Sequence, residues 1–140
     1  MLCCQVSMDS ALKTIIVDDE TLARRGLKHR LKAVEDVEII AEAGNGREAL
    51  DLIREHDPDL VFLDIQMPGM DGFDVLRALP QKKMPAIVFV TAFDDYAIKA
   101  FEAHALDYLL KPIEDSRLGE ALERVRENRK LKQAVRHRKS

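Results

Sequence analysis

Five short apolar runs recur along the chain, and each is followed by a segment with helical periodicity. The runs are continuous rather than alternating in polarity, which indicates strands buried on both faces of a parallel sheet. Right-handed crossovers then place helices on both faces of that sheet. We therefore predict an α/β fold of (βα)₅ order: a doubly wound, parallel five-stranded sheet in a three-layer sandwich. The predicted strands are 14–17, 37–43, 60–63, 86–90 and 107–110, and the predicted helices are 20–33, 48–56, 73–79, 95–103 and 115 onward.

The length and composition favour one globular domain. The chain has 140 residues, of which 46% are hydrophobic and 34% are charged. We expect a disordered leader over 1–12, the domain over 13–125, and a basic helical extension or linker over 126–140. No run approaches the roughly 20 apolar residues of a membrane span, and the adjacent Cys3 and Cys4 form no disulfide or metal pattern. We therefore expect a cytoplasmic protein without membrane contact.

Charge is divided unevenly along the chain. The formal net charge is −3, yet residues 124–140 hold eight Lys or Arg and one acidic residue, Glu127. A basic tail of this kind can contact nucleic acid or acidic protein, but a solvated helical linker is the simpler interpretation.

Residues suited to chemistry stand at the ends of four predicted strands. They are Asp18 and Asp19 after the first strand, Asp64 after the third, Thr91 and Ala92 after the fourth, and Lys111 after the fifth. In doubly wound sheets, ligands bind outside the carboxyl ends of the strands. We therefore expect three carboxylates, a hydroxyl and an ammonium group to converge on one edge of the sheet.

Three crowded carboxylates repel one another, by about 4 kcal/mol per pair at about 4 Å and an effective dielectric of about 20. A bound cation or a lysine must offset this repulsion. Oxygen ligands without histidine or cysteine suit Mg²⁺, which favours carboxylates together with phosphate oxygens. The pattern thus indicates a phosphoryl-transfer site. One of Asp18 and Asp19 can instead cap the following helix, and we expect Asp57, Asp59 and Asp71 to be turn residues.

Four sequence blocks together resemble the receiver domain of bacterial response regulators, which has a flavodoxin-like, CheY-like fold. The blocks are VDDE at 17–20, LDIQMPGMDG at 63–72, VTA at 90–92 and DYLLKP at 107–112. The resemblance covers nearly all of 13–125. It implies that Asp64 is the phosphoacceptor, that Asp19, Asp64 and the backbone carbonyl of Gln66 bind Mg²⁺ directly, and that Asp18 holds a metal-bound water.

The same resemblance assigns roles around the phosphoryl group. Thr91, the backbone N–H of Ala92, and Lys111 would bind its oxygens, and Lys111–Pro112 is a candidate cis peptide. Thr91 and Tyr108 would form the conformational switch. Gln66 and Phe93 would line the route of the water that removes the phosphoryl group.

Partners also follow from the resemblance. The phosphoryl donor would be a sensor histidine kinase, and phosphorylation would favour a homodimer through the fourth helix, fifth strand and fifth helix. The segments at 92–101 and 104–112 are similar to LytTR-type regulators, so we expect an output domain absent from this chain, and DNA contact only through it. The alternative is a stand-alone receiver that acts as a phosphate shuttle or interaction switch. We expect self-catalysed phosphorylation and dephosphorylation only, not an enzyme in the usual sense.

Two other functions of the same fold fit the sequence poorly. A flavodoxin-like FMN module needs a Ser/Thr/Gly-rich phosphate loop after the first strand, where this chain has acidic residues at 18–20. A metal-dependent phosphatase of the aspartyl-phosphate class needs a second acid two positions after its nucleophile, where this chain has Gln66.

Overall fold

The computed structural model describes residues 11–80, 84–93, 95 and 97–139. Within these residues, five strands alternate with five helices, as predicted. The order is β1 (Leu12–Val17), α1 (Thr21–Leu31), β2 (Val37–Ala43), α2 (Gly46–His56), β3 (Leu60–Asp64), α3 (Gly72–Ala78), β4 (Ala86–Thr91), α4 (Ala97–Glu102), β5 (Asp107–Leu110) and α5 (Asp115–Lys139).

The strands form one parallel sheet in the order β2-β1-β3-β4-β5. Every residue of β3 and β4 is buried, which explains why these strands are continuous apolar runs. Side chains on one face pack with α2, α3 and α4, and those on the other face pack with α1 and α5. The predicted doubly wound, three-layer architecture is confirmed.

The amino-terminal boundary differs from the prediction. Leu12, assigned to the leader, is the first residue of β1, and only 1% of it is exposed. Its N–H donates to the carbonyl of Asp36 at 2.7 Å. Strand pairing and burial on the α1/α5 face therefore extend the domain by one residue. The rest of the predicted leader that precedes Ala11 lies outside the described residues.

Several predicted helix boundaries shift because local hydrogen bonds define them. Helix α2 begins at Gly46 rather than at Glu48, since the Asn45 side chain caps it by accepting from the Glu48 N–H. Helix α4 covers Ala97–Glu102, shorter than the predicted 95–103. The next turn leaves helical geometry at His104, whose φ is 65°.

Helix α5 continues without a break past Val125, where the domain was predicted to end. Leu118, Leu122 and Val125 are buried against the sheet, whereas Leu131 is 67% exposed. The side chain of Arg126 holds Asp36 with two hydrogen bonds of 2.7 and 2.8 Å. We call this pair the α5 clamp, because it fixes the helix to the amino-terminal edge of the sheet.

Within the part of the chain that the structure describes, none of the helices combines the length and hydrophobicity needed to span a membrane.

Candidate functional site

The carboxyl end of β1 opens into three consecutive acids. Asp18 is buried, whereas Asp19 and Glu20 are exposed, and ligand oxygens of the three lie within 4.8 Å of one another. One oxygen of Asp18 accepts from the Glu20 N–H at 2.9 Å. The residue that caps α1 is Glu20, without a side-chain capping bond. Neither aspartate is therefore the helix cap that the sequence left open.

A buried carboxylate from β3 lies beside these acids. Asp64 is 5% exposed, and the Lys111 ammonium after β5 lies 3.5 Å from its Oδ2. The same ammonium lies 2.7 Å from Asp18 Oδ2 and 3.7 Å from Glu20 Oε1. The predicted convergence of β1, β3 and β5 is therefore present. We call Asp18, Asp19, Glu20, Asp64 and Lys111 the acid site.

The charges of the acid site are not balanced. Burial, followed by the nearby charge of Asp18, raises the pKa of Asp64 to about 7, against the opposing charge of Lys111. Burial by itself would lower the pKa of Lys111, but its hydrogen bond to Asp18 and the surrounding carboxylates raise it. One ammonium group thus faces three carboxylates. A further positive charge at the site would stabilise their ionised forms.

Thr91 and Ala92 lie on the opposite side of Asp64, at the end of β4. Asp64 pairs with Val90 across β3 and β4, so Thr91 is one residue further along. The Thr91 side chain is buried, and its Oγ1 accepts from the Phe93 N–H at 3.3 Å. The Thr91 carbonyl accepts from the Lys111 N–H at 2.8 Å. The hydroxyl and the ammonium therefore belong to adjacent strand ends.

Gln66 and Asp19 line one open cleft next to the phosphoacceptor candidate. The Gln66 N–H donates to Asp64 Oδ1 at 3.3 Å. Below them, Gly72 packs against the β3 end, since a Cβ on it would lie 2.7 Å from the Asp64 carbonyl oxygen. Only glycine permits this approach of the α3 start to Asp64.

Tyr108, the predicted switch residue, is half-buried on β5. Its ring packs against the core on the α4 face, and its hydroxyl donates to the backbone carbonyl of Phe93. The aromatic side chain is therefore linked to the loop that follows Thr91. The Lys111–Pro112 peptide is cis, as predicted.

The other three aspartates, expected to be turn residues, have local structural roles, and Asp71 is a helix cap rather than a turn residue. Asp57 ends α2 in a left-handed conformation, and Asp59 accepts from the Lys13 N–H at 2.9 Å. Asp71 caps α3 in a reciprocal arrangement with Asp74.

The sequence of this chain matches a known protein family. The model of the response regulator receiver domain matches residues 14–123, which include all of the acid site. The chain belongs to the response regulator receiver family. Solved receiver domains share its fold at substantial sequence identity. The response regulatory domain of mrkE from Klebsiella pneumoniae has a TM-score of 0.77 and 35% identity, covering 84% of this chain and 97% of that one. The receiver domain of AraT from Geobacillus stearothermophilus has a TM-score of 0.78 and 35% identity, covering 88% and 98%.

Curated relatives are longer than this receiver chain. The transcriptional regulatory protein BtsR of Salmonella typhi is 51% identical over 118 residues, which make up 84% of this chain and 49% of that protein. An uncharacterized response regulatory protein of Vibrio cholerae is 48% identical, covering 86% of this chain and 47% of its own length. The receiver chain thus spans about half the length of these relatives.

The donor set of this receiver domain fits a magnesium ion. The candidate ligands are all oxygens, as Mg²⁺ prefers, and three of the carboxylates are adjacent. Burial and the neighbouring carboxylate of Asp18 raise the pKa of Asp64, and the Lys111 ammonium opposes that rise. A divalent cation would supply further positive charge.

Two residues of the receiver site were not assigned a role from the sequence. Glu20 stands next to the two aspartates, and that adjacency was an available signal. Arg24 donates to the backbone carbonyl of Asp18, and nothing in the sequence indicated it. Arg24 also forms an ion pair with Glu42, which lies on β2.

Proposed function

We propose that this receiver domain accepts a phosphoryl group on Asp64 from a phosphohistidine of a sensor kinase, with Mg²⁺ as cofactor. The observation that carries the proposal is the single Lys111 ammonium that contacts both Asp18 and Asp64 at the carboxyl edge of the sheet. This geometry supports a site for a divalent cation and an incoming anionic group. The family membership of the chain supports the same reaction.

Asp19, Asp64 and the backbone carbonyl of Gln66 would bind the ion directly, and Asp18 would hold a water on it. Mg²⁺, when bound, neutralises negative charge on the transferring group and on the carboxylates. The burial of Asp18 and its bonds to Lys111 and the Glu20 N–H keep its carboxylate in place. The exposed Asp19 faces the cleft that it shares with Gln66.

In the transfer step, one Asp64 oxygen forms a P–O bond while the P–N bond of phosphohistidine breaks. The electron pair of the broken bond stays with the histidine nitrogen. Asp64 must be ionised for this attack, so the positive charges around it serve the chemistry directly. Lys111, the Thr91 hydroxyl and the Ala92 N–H would bind the phosphoryl oxygens.

The domain would catalyse only its own phosphorylation and hydrolysis, so we do not propose a separate enzyme activity. Gln66, two residues past Asp64, and Phe93, two residues past Thr91, would control water access. Phe93 is 45% exposed, which suits a residue at the rim of the site.

Phosphorylation adds roughly −1.5 to −2 charges at Asp64. Thr91 would move toward one new oxygen, and Tyr108 would release the Phe93 carbonyl and repack. The surface formed by α4, β5 and α5 would then favour a homodimer.

The output is proposed to be transcriptional control through a LytTR-type domain, and DNA contact would occur only through that domain. The BtsR relatives are named transcriptional regulatory proteins, and this chain covers about half of their length.

The second candidate is a stand-alone receiver that passes the phosphoryl group on or binds a partner. The basic end of α5 favours the first, as a linker to another domain. Either role places the protein in the cytoplasm, with its kinase.

Phosphorylation is tested with acetyl phosphate and Mg²⁺ on the full chain, followed by intact mass and peptide mapping. We expect the mass gain of one phosphoryl group at Asp64, and none in Asp64→Asn. Asp57→Asn is the matched control, because Asn also tolerates the left-handed conformation of that exposed aspartate. A mass gain that persists in Asp64→Asn, or that does not require Mg²⁺, refutes the proposal.

Dimerisation is tested by sedimentation with beryllofluoride and Mg²⁺ at tens of micromolar protein. We expect a monomer to become a dimer in the native chain but not in Asp64→Asn. If the native chain remains monomeric with beryllofluoride and Mg²⁺, the proposed dimerisation is wrong. The assignment of Asp64 as phosphoacceptor is unaffected by that result.

A further inference from the structure

Arg24, on the second turn of α1, connects the acid site to the edge strand β2. Its Nη1 donates to the Asp18 backbone carbonyl at 2.5 Å, and its Nε donates to Glu42 Oε1 at 3.2 Å. Its Nη2 lies 3.4 Å from Thr21 Oγ1. Each guanidinium nitrogen therefore has a partner, and only 18% of the side chain is exposed.

Glu42 is held in place independently of Arg24. The Lys28 ammonium contacts its other oxygen at 2.7 Å, and the hydrogen bond from Lys28 keeps the pKa of Glu42 below its ordinary value. Glu42 is thus a fixed anion on β2. Arg24 spans from this anion to the Asp18 carbonyl, as the planar fork of arginine allows.

Asp18 is consequently restrained at every polar group. Its N–H donates to the Ala43 carbonyl of β2 at 3.1 Å, and its carbonyl accepts from Arg24. Its two carboxylate oxygens bind the Glu20 N–H and the Lys111 ammonium. Without Arg24, the carbonyl at the point where β1 ends would lose its described side-chain donor.

We propose that Arg24 is a positioning residue: through the Asp18 carbonyl and the Glu42 anchor, it holds the β1 end in the geometry that binds Mg²⁺. This inference rests on the proposed magnesium site. Hydrogen-bonding partners behind a metal's ligands orient those ligands, and their loss typically weakens metal affinity about 10–100-fold.

An electrostatic role and a positioning role of Arg24 predict opposite changes in Mg²⁺ affinity when Arg24 is removed. Its positive charge repels a cation, so a purely electrostatic role means that removal of Arg24 strengthens Mg²⁺ binding. A positioning role means that removal weakens binding. The direction of the change in affinity therefore separates the two roles.

The test is a Mg²⁺ titration of the full chain, followed by two-dimensional amide NMR, for the native protein and a matched pair of variants. Arg24→Met should weaken Mg²⁺ binding about tenfold. Lys28→Met removes the shorter ion pair to the same Glu42 but does not touch Asp18, so its affinity should stay within about twofold of native. Without Mg²⁺, Arg24→Met should lose more thermal stability than Lys28→Met, because Arg24 also donates to the Asp18 carbonyl and Thr21.

Two further variants make the test robust. Arg24→Lys keeps the charge but loses the fork that reaches both partners, and it should bind Mg²⁺ as weakly as Arg24→Met. Glu42→Gln preserves shape and removes the anchor charge, so it should weaken binding even if Arg24→Met folds poorly.

The contrary outcomes are distinct. If the native chain binds Mg²⁺ and Arg24→Met binds it equally or more tightly, the positioning role is refuted and the magnesium site stands. If Lys28→Met weakens binding as much as Arg24→Met, the effect comes from the loss of a charged partner of Glu42 and not from the contact with Asp18. If the native chain shows no Mg²⁺-dependent shifts, the magnesium site and this inference fall together.

Discussion

Two carboxylate–cation groups stand at opposite edges of the sheet, and they are built differently. At the carboxyl edge, one ammonium faces the carboxylates of Asp18 and Asp64, whose side chains are each 6% exposed. At the amino edge, the α5 clamp pairs one carboxylate with one guanidinium, and each side chain is 31% exposed. The acid site has an excess of buried negative charge, whereas in the clamp both oxygens of Asp36 accept hydrogen bonds from one guanidinium.

The pKa values reflect this contrast. Burial and Asp18 raise the pKa of Asp64 to about 7, while the hydrogen bonds from Arg126 lower the pKa of Asp36. Buried charge without full compensation reduces stability. The acid site therefore holds buried negative charge that a bound cation would offset, whereas the clamp ties α5 to the start of β2 through one ion pair.

The largest change in the free energy of unfolding should follow removal of the Lys111 ammonium from the acid site. Without Mg²⁺, Lys111→Met leaves two buried carboxylates without their cation and should reduce the free energy of unfolding by about 3 kcal/mol. Urea unfolding at neutral pH measures this change. Added Mg²⁺ should restore part of the loss. An unchanged free energy of unfolding would mean that Lys111 does not offset the repulsion.

The next largest change in the free energy of unfolding should be an increase rather than a decrease. Asp64→Asn should stabilise the Mg²⁺-free protein by on the order of 2 kcal/mol at about pH 8, because it removes a poorly compensated buried charge. Between the unfolded pKa of 3.8 and the folded value of about 7, the folded state binds more protons than the unfolded state. Native stability therefore falls as pH rises through this window.

The advantage of the Asn variant should accordingly grow from about pH 4 to pH 8. Parallel stability–pH curves for the native protein and Asp64→Asn would contradict the raised pKa. Saturating Mg²⁺ should reduce the difference, since it stabilises only the native site.

The smallest effect should come from the clamp. Asp36→Asn should cost about 1 kcal/mol or less at neutral pH, because the pair is partly solvated. The pKa of Asp36 is lowered from 3.8, so its contribution is present above that value and is lost as pH falls through the folded pKa. A loss that persists in strong acid would assign the effect to packing of Arg126 instead.

Much of the acid site, and the position of Thr91 beside it, could be predicted because parallel strands end at one edge. Asp18, Asp64, Thr91 and Lys111 each follow an apolar run, so their convergence needed only the strand assignment and the topology rules. The same logic predicted β2 and β5 with the bounds that the structure shows.

Other features could not be predicted because they depend on how helices pack on the sheet. Arg126 reaches Asp36 across 90 residues of sequence, and Arg24 reaches Glu42 across 18. No periodicity marks either pair. The inclusion of Leu12 in β1 likewise depends on pairing with β2, which a lone leucine before the apolar run does not indicate.

The order of polar and apolar residues was enough to predict the alternation of buried strands and amphipathic helices, since polarity patterns encode burial directly. It also predicted which residues stand at the carboxyl edge of the sheet. Which charges meet depends on how distant segments pack in three dimensions. That packing placed one ammonium between two buried carboxylates and an arginine behind Asp18. These pairings depend on ångström-scale distances between distant segments, and Coulomb energies and desolvation change steeply over such distances.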